Sequence, residues 1–285
     1  MFQLEGVFNI FVYTSKESSC CSNFEIVLIF EFNRLLMQVE VCAFSIESCL
    51  NAQRAGAHRV ELCGGLYEGG TTPSYGLIQR ARSVLSIQLY VMIRPRGGDF
   101  CYDEEELEVM RMDILAAKKS GADGVVFGLL KPNGQVDVEQ TKALVALAKP
   151  MGVTFHRAFD VASDPLEALE AIIETGAERI LTSGQQNLAV EGKELIVQLV
   201  EKSSGRIEIM AGSGVNADNA VLLVKTGANA LHLTGKAVRQ GAMTYHKSGV
   251  SMASVLPVDE HEIIYTNEAN IKGLIKRLND EKVNF

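Results

Sequence analysis

From residue 38 onward, short apolar runs alternate with longer segments whose apolar positions recur every three or four residues. The short runs predict strands buried on both faces, and the longer segments predict amphipathic helices. Four stretches share one grammar: RAGAHRVEL (54–62), KSGADGVVF (119–127), ETGAERILT (174–182) and KTGANALHL (225–233). In each, a helix ends in a polar residue, Gly-Ala follows, then two polar or small residues, then an apolar strand. Glycine there suits the left-handed residue that closes a helix. Gly56, Gly121, Gly176 and Gly227 lie 65, 55 and 51 residues apart. That is too far for one strand–helix unit of about 25–30 residues and right for two. The intervening strands are then QVEVCAF (38–44), IQLYVMIR (87–94), GVTFHRA (152–158) and RIEIMAG (206–212). Ser45, Asp103, Asp164-Pro165 and Asn216 supply helix starts.

Eight strands alternating with helices predict an α/β protein, a single-domain (β/α)8 TIM-type barrel over 37–285. A doubly wound open sheet is the runner-up, but it gives no reason for the fourfold echo. SGVSMASVLP (248–257) reads as turns, and NEANIKGLIKRLND (267–280) as a last helix packed on the outside. Residues 1–36 differ from the rest. They hold four Glu against one Lys and one Arg and have no basic region ahead of their apolar part. They therefore suit neither a secretory signal nor a mitochondrial presequence. The expectation is an accessory extension, or an upstream start, outside the fold.

Of the 285 residues 47% are hydrophobic, enough for a sizeable core, and the formal net charge is −8. An acidic chain argues against sequence-independent nucleic-acid binding, and no apolar run reaches the ~18 residues of a membrane span. Six cysteines at 20, 21, 42, 49, 63 and 101 include no C-x-x-C pair. They make neither a disulfide scaffold nor a zinc ribbon, and a reducing compartment is expected.

In a barrel of this type chemistry sits at the C-terminal strand ends. Strand alternation puts Glu40 with Cys42, Glu61 with Cys63, Met92 with Arg94, Thr154 with His156, and Glu208 with Met210 on shared faces. If that face is the interior, the carboxylates need cations, with Arg59, Arg94 and Arg157 as candidates. An ion network that merely fills the barrel is the bland alternative. The loop RPRGGDFCYD (94–103) offers Arg94 and Arg96 as an anion clamp, or as a loop braced on Asp99 or Asp103. TFHRAFD (154–160) offers His156 beside Asp160 as a general base, or as a structural histidine. Gly212, Ser213 and Gly214, with Lys236, stand where many barrels bind phosphate, although tight turns need glycine anyway. Cys42 and Cys63 end neighbouring strands, so their sulfurs could share one soft ion such as copper(I). The same spacing would permit a disulfide, and two buried cysteines acting as small hydrophobes are the plain alternative. Met92 and Met210 could add soft donors.

Taken together, VEVCAFSIESCLNAQRAGAHRVELCGGLYEGGTTPSYG, VMIRPRGGDF, GADGVVFG, VTFHRAFD, ERILTSG and IMAGSGV resemble the CutC copper homeostasis family, in order, from about Met37 to beyond 250. The resemblance implies a TIM-type barrel and a soluble protein of the cytoplasm, with the nucleus not distinguished from it. It also implies homo-oligomers, dimer or tetramer, and a role in copper(I) binding and trafficking, with Cys42 and Cys63 matching the suggested ligands. It implies no reaction. The alternative is a barrel enzyme acting on a small anionic or phosphorylated metabolite, with Glu40, Glu61, Arg94 and His156 as candidate catalytic residues.

Overall fold

Eight parallel strands close into a barrel in the computed structural model, which describes residues 37–245, 247, 249–250 and 259–281. The strands are β1 (Gln38–Ala43), β2 (Arg59–Leu62), β3 (Gln88–Met92), β4 (Gly124–Phe127), β5 (Gly152–Phe155), β6 (Arg179–Thr182), β7 (Glu208–Gly212) and β8 (Ala230–Leu233), in sequence order around the wall, with β8 pairing back to β1. Helices α1 (Ile46–Ala55), α2 (Tyr75–Val84), α3 (Glu104–Lys119), α4 (Val138–Ala148), α5 (Pro165–Thr175), α6 (Lys193–Ser203) and α7 (Ala220–Val224) alternate with them. The expected extension 1–36, with Cys20 and Cys21, lies outside the described residues.

The echo has the physical cause its sequence suggests. Gly56, Gly121, Gly176 and Gly227 all have positive φ, between 79° and 92°, and each turns a helix end into an even-numbered strand. Ser45 caps α1 through the Ser48 amide, and Asp164 caps α5 through the Leu166 and Glu167 amides ahead of Pro165. Asp103 and Glu106 form a reciprocal capping box on α3. Asn216 is different: its side chain accepts from the Asp218 and Asn219 amides in a turn, and α7 starts only after Asn219. Asx-type hydrogen bonding competes with the first turn of a helix, which shortens α7 to 5 residues.

Outward strand residues such as Val39, Val41, Val60, Leu62 and Val91 pack under the helices in the main apolar core. The inward faces mix polar and charged side chains with two small apolar clusters around Met92 and Met210, and glycines make room for the larger ones. A β-carbon at Gly124 would lie 2.4 Å from the Tyr90 ring, and one at Gly152 2.2 Å from its hydroxyl. Beyond β8 the chain forms an antiparallel pair that its periodicity did not announce, β9 (Lys236–Gln240) with β10 (Glu262–Thr266). Helix α8 (Glu268–Glu281) follows, burying Ile271, Leu274 and Leu278. It lies beside α1, where Asn51 donates to the Thr266 carbonyl at 2.7 Å and Arg54 pairs with Glu268. Among the described residues no helix is long and apolar enough to cross a membrane.

Candidate metal centre

The cluster begins with register. Glu40 on β1 is level with Arg59 on β2 and His232 on β8, while Cys42 is level with Glu61. All five side chains are buried or nearly so. Burial works against the charge on Glu40, but the Arg59 guanidinium and His232 outweigh it and hold its carboxyl down at about 2. Arg59 Nε donates to Glu40, and His232 Nδ1 stands 2.7 Å from the other Glu40 oxygen. Of the three cations expected to serve the carboxylates, Arg59 does so, whereas Arg94 and Arg157 do not. The missing partner is His232. Its strand reads ALHL, in which an inward histidine at alternate spacing was the available signal.

Above this ion pair sit the thiols. The sulfurs of Cys42 and Cys63 are 3.6 Å apart, and the Cys63 thiol is 3.6 Å from Glu61 Oε2. His232 Nε2 is 3.7 Å from the same oxygen. The Cys63 thiol, with His232 nearby, stabilises charge on Cys42 against the cost of burial and brings it down to about 6. Burial pushes both Cys63 and Glu61 well up, followed by the hydrogen bond with Cys42 for Cys63 and by the charge on Cys42 for Glu61. Burial opposes charge on His232, but Glu61, Cys42 and Glu40 together raise it well above an ordinary histidine. These shifts favour negative charge on Cys42 and a proton on His232, and disfavour charge on Cys63.

The register also works against the disulfide that the strand spacing alone would permit. Cys63 stands two residues beyond the position level with Cys42, so the α-carbons are about 8 Å apart given a strand spacing of ~4.8 Å and a rise of ~3.3 Å per residue. Disulfides need less than about 7 Å. The side chains lean together while the backbones stay apart, a geometry that suits a bridging ion better than an S–S bond.

A loop packs over the Cys63 thiol. A β-carbon on Gly70, in the β2–α2 connection, would lie 3.4 Å from Cys63 Sγ and 3.5 Å from Met92 Cε. Arg94 holds that cover down, donating to the Glu68 carbonyl at 2.7 Å, the Gly70 carbonyl at 2.9 Å and the Gly98 carbonyl at 2.8 Å. Those donors brace two loops, while its Nε is buried without a hydrogen-bond partner. Arg96 is likewise occupied, by Glu106, Asp99 and backbone carbonyls.

His156 is buried at the end of β5, but Asp160 is not its partner. Asp160 accepts from Arg157, Ser183 and Thr182 and organises the end of β6. His156 Nδ1 accepts from the Ala158 amide, and burial, reinforced by Arg94, lowers its pKa to about 3. It is a neutral imidazole and a poor base. Thr154 is buried and accepts from Arg179, and Met210 is buried near Arg59, whereas Glu208 is half-exposed and paired with Arg179. Gly212 ends β7 against Leu181 and His232, Ser213 Oγ donates to the Asn187 carbonyl, and Lys236 is exposed on β9.

The family model described as the CutC family matches residues 37–237. A copper homeostasis protein cutC homolog of Mus musculus is 46% identical over 237 residues, 83% of this chain and 87% of that protein. A family protein CutC of Pasteurella multocida is 48% identical over 239 residues, 84% of this chain and 97% of that one. The solved structure of a CutC from Streptococcus agalactiae superposes with a TM-score of 0.67 at 39% identity, covering 70% of this chain and 98% of that one.

Proposed function

The chain belongs to the CutC family, and from that premise we propose that it serves copper homeostasis by holding a copper(I) ion between the sulfurs of Cys42 and Cys63. The observation that carries this reading is their 3.6 Å approach at the barrel mouth. Thiolates are the ligands copper(I) selects, and two suffice for a low-coordinate site. The α-carbon spacing keeps the pair from closing on itself, and Gly70 packs against Cys63. Copper is cargo in this reading: the ion arrives, displaces the proton that Cys63 holds, and leaves. Anaerobic copper(I) titration against a competing chelator tests it. One ion per chain is expected for the native protein, and unchanged affinity in the Cys42→Ser, Cys63→Ser double variant would remove the assignment. The same reading carries a cytoplasmic or nuclear location and a dimer or tetramer, which light scattering on the purified chain measures.

A second reading, an enzyme for a small anionic or phosphorylated metabolite, is favoured by one observation. Arg94 Nε and His156 Nε2 are buried donors without a hydrogen-bond partner. With its pKa at about 3, His156 would serve there as a neutral donor to the anion, not as a base. Gly212, Ser213, Gly214 and Lys236 remain its proposed phosphate contacts. Thermal unfolding with and without inorganic phosphate tests it, because a ligand bound to the folded state raises the midpoint. No shift at millimolar phosphate removes the phosphorylated class.

A further inference from the structure

Copper(I) between two sulfurs gives Glu61 and His232 no task, yet both are buried at considerable cost. Cys42 Sγ, a Glu61 carboxylate oxygen and a His232 ring nitrogen lie within 4.8 Å of one another. They come from β1, β2 and β8, three strands consecutive around the barrel wall. Thiolate, carboxylate and imidazole together form a mixed donor set of the kind that holds zinc through three protein ligands and leaves a fourth position open.

Two features of the surroundings point the same way. Glu61 Oε1 is buried with no hydrogen-bond partner, although buried carboxylate oxygens nearly always have one. His232 is held by Glu40 through Nδ1, which leaves Nε2 as the nitrogen facing Glu61. Metal-binding histidines are oriented in this manner, one ring nitrogen on a carboxylate and the other toward the ion.

We propose that Cys42, Glu61 and His232 form a second metal site, for a borderline divalent cation of the zinc type, with Glu40 as the residue that positions His232. Cys63 stays outside the coordination and donates its thiol hydrogen bond to Glu61. Cys42 is common to this site and to the thiol pair, so the two ions exclude one another. The site does not depend on the copper reading, and the two fail separately.

The test uses the full-length, reduced, metal-free protein, with cobalt(II) as the spectroscopic probe and zinc(II) as the competitor. One cobalt per chain is expected, with a thiolate charge-transfer band that zinc abolishes. Cys42→Ser should lose the band. Glu61→Gln and His232→Gln should weaken binding by more than the about 10–100-fold that loss of an outer-shell partner costs a metal site. Cys63→Ser should bind cobalt within about threefold of the native protein, on the scale where tenfold is ~1.4 kcal/mol. Circular dichroism identifies any variant that fails to fold, and the near-isosteric Glu61→Gln keeps the test decisive if His232→Gln does not fold. Copper(I) titration of Glu61→Gln should match the native protein. The proposal is overturned if no stoichiometric cobalt binds, if Cys63→Ser abolishes binding while Glu61→Gln does not, or if folded Glu61→Gln loses copper(I) and cobalt(II) alike. A native protein that binds cobalt but not copper(I) would remove the copper reading and leave this one standing.

Discussion

Arg59 is 1% exposed, and its guanidinium meets Glu40, the face of Tyr90 at 4.7 Å and the Met210 sulfur at 3.8 Å. Removing one partner of a buried ion pair leaves the other charged without compensation, at a cost of about 3–5 kcal/mol. Arg59→Met should therefore lower the unfolding free energy by that amount in urea titrations. A loss under ~1 kcal/mol, the scale of an exposed pair, would show that Glu40 relies on His232 alone. At this scale the sequence was legible wherever chemistry forced a partner. Two glutamates spaced two apart from cysteines on strands demanded buried cations, and Arg59 answered. It was not legible wherever the partner came from a distant strand by register, as with His232, nor where Asp160 turned from His156 to the β6 loop. Side-chain direction at the end of a strand depends on loops that carry no period.

Among the elements, the glycine-closed helices were readable because a left-handed residue has few substitutes. The β9–β10 pair was not, since β9 is exposed at four of its five positions and the five-residue β10 is only partly buried, so neither shows a regular alternation. The loop at 94–103 reads from its sequence as either an anion clamp or a braced loop, and in the structure Arg94 pins it to the β2–α2 connection. Hydrogen bonds to a charged group contribute about 1.5–3 kcal/mol each, and Arg94 makes three to the cover and its neighbour. Loss of even one such contribution favours loop opening by at least ~10-fold. Arg94→Met should accordingly speed alkylation of Cys63, followed by peptide mass spectrometry, by about tenfold or more. Labelling at the native rate would mean that Gly70 and Met92 shield the thiol without the pin.

Across the whole molecule, the closed barrel places ionisable groups in an interior that apolar residues fill in most domains, and its stability acquires a pH profile from them. His156 titrates at about 3 in the fold against 6.5 when free. Between those values the unfolded chain binds a proton that the folded one refuses, so stability falls as pH falls, by about 1.4 kcal/mol per unit. Glu61 has the opposite sign: its pKa is raised in the fold, so above 4.5 the unfolded chain releases a proton that the folded one keeps, and stability falls as pH rises. The Glu40 contribution is fully present above 4.5 and is lost only as pH drops toward its folded value of about 2. His232, raised in the fold, contributes fully below 6.5 and adds no slope there. Between about pH 4.5 and 6 the His156 and Glu61 terms therefore oppose each other, and the native profile should be nearly flat, with a steep acid loss beneath it. His156→Gln removes one of the two. Its urea midpoints should rise as pH is lowered through that window, with a slope differing from the native protein by about 1.4 kcal/mol per unit. Parallel profiles would mean that His156 carries its proton in the fold, and that its ring reaches solvent at the barrel mouth.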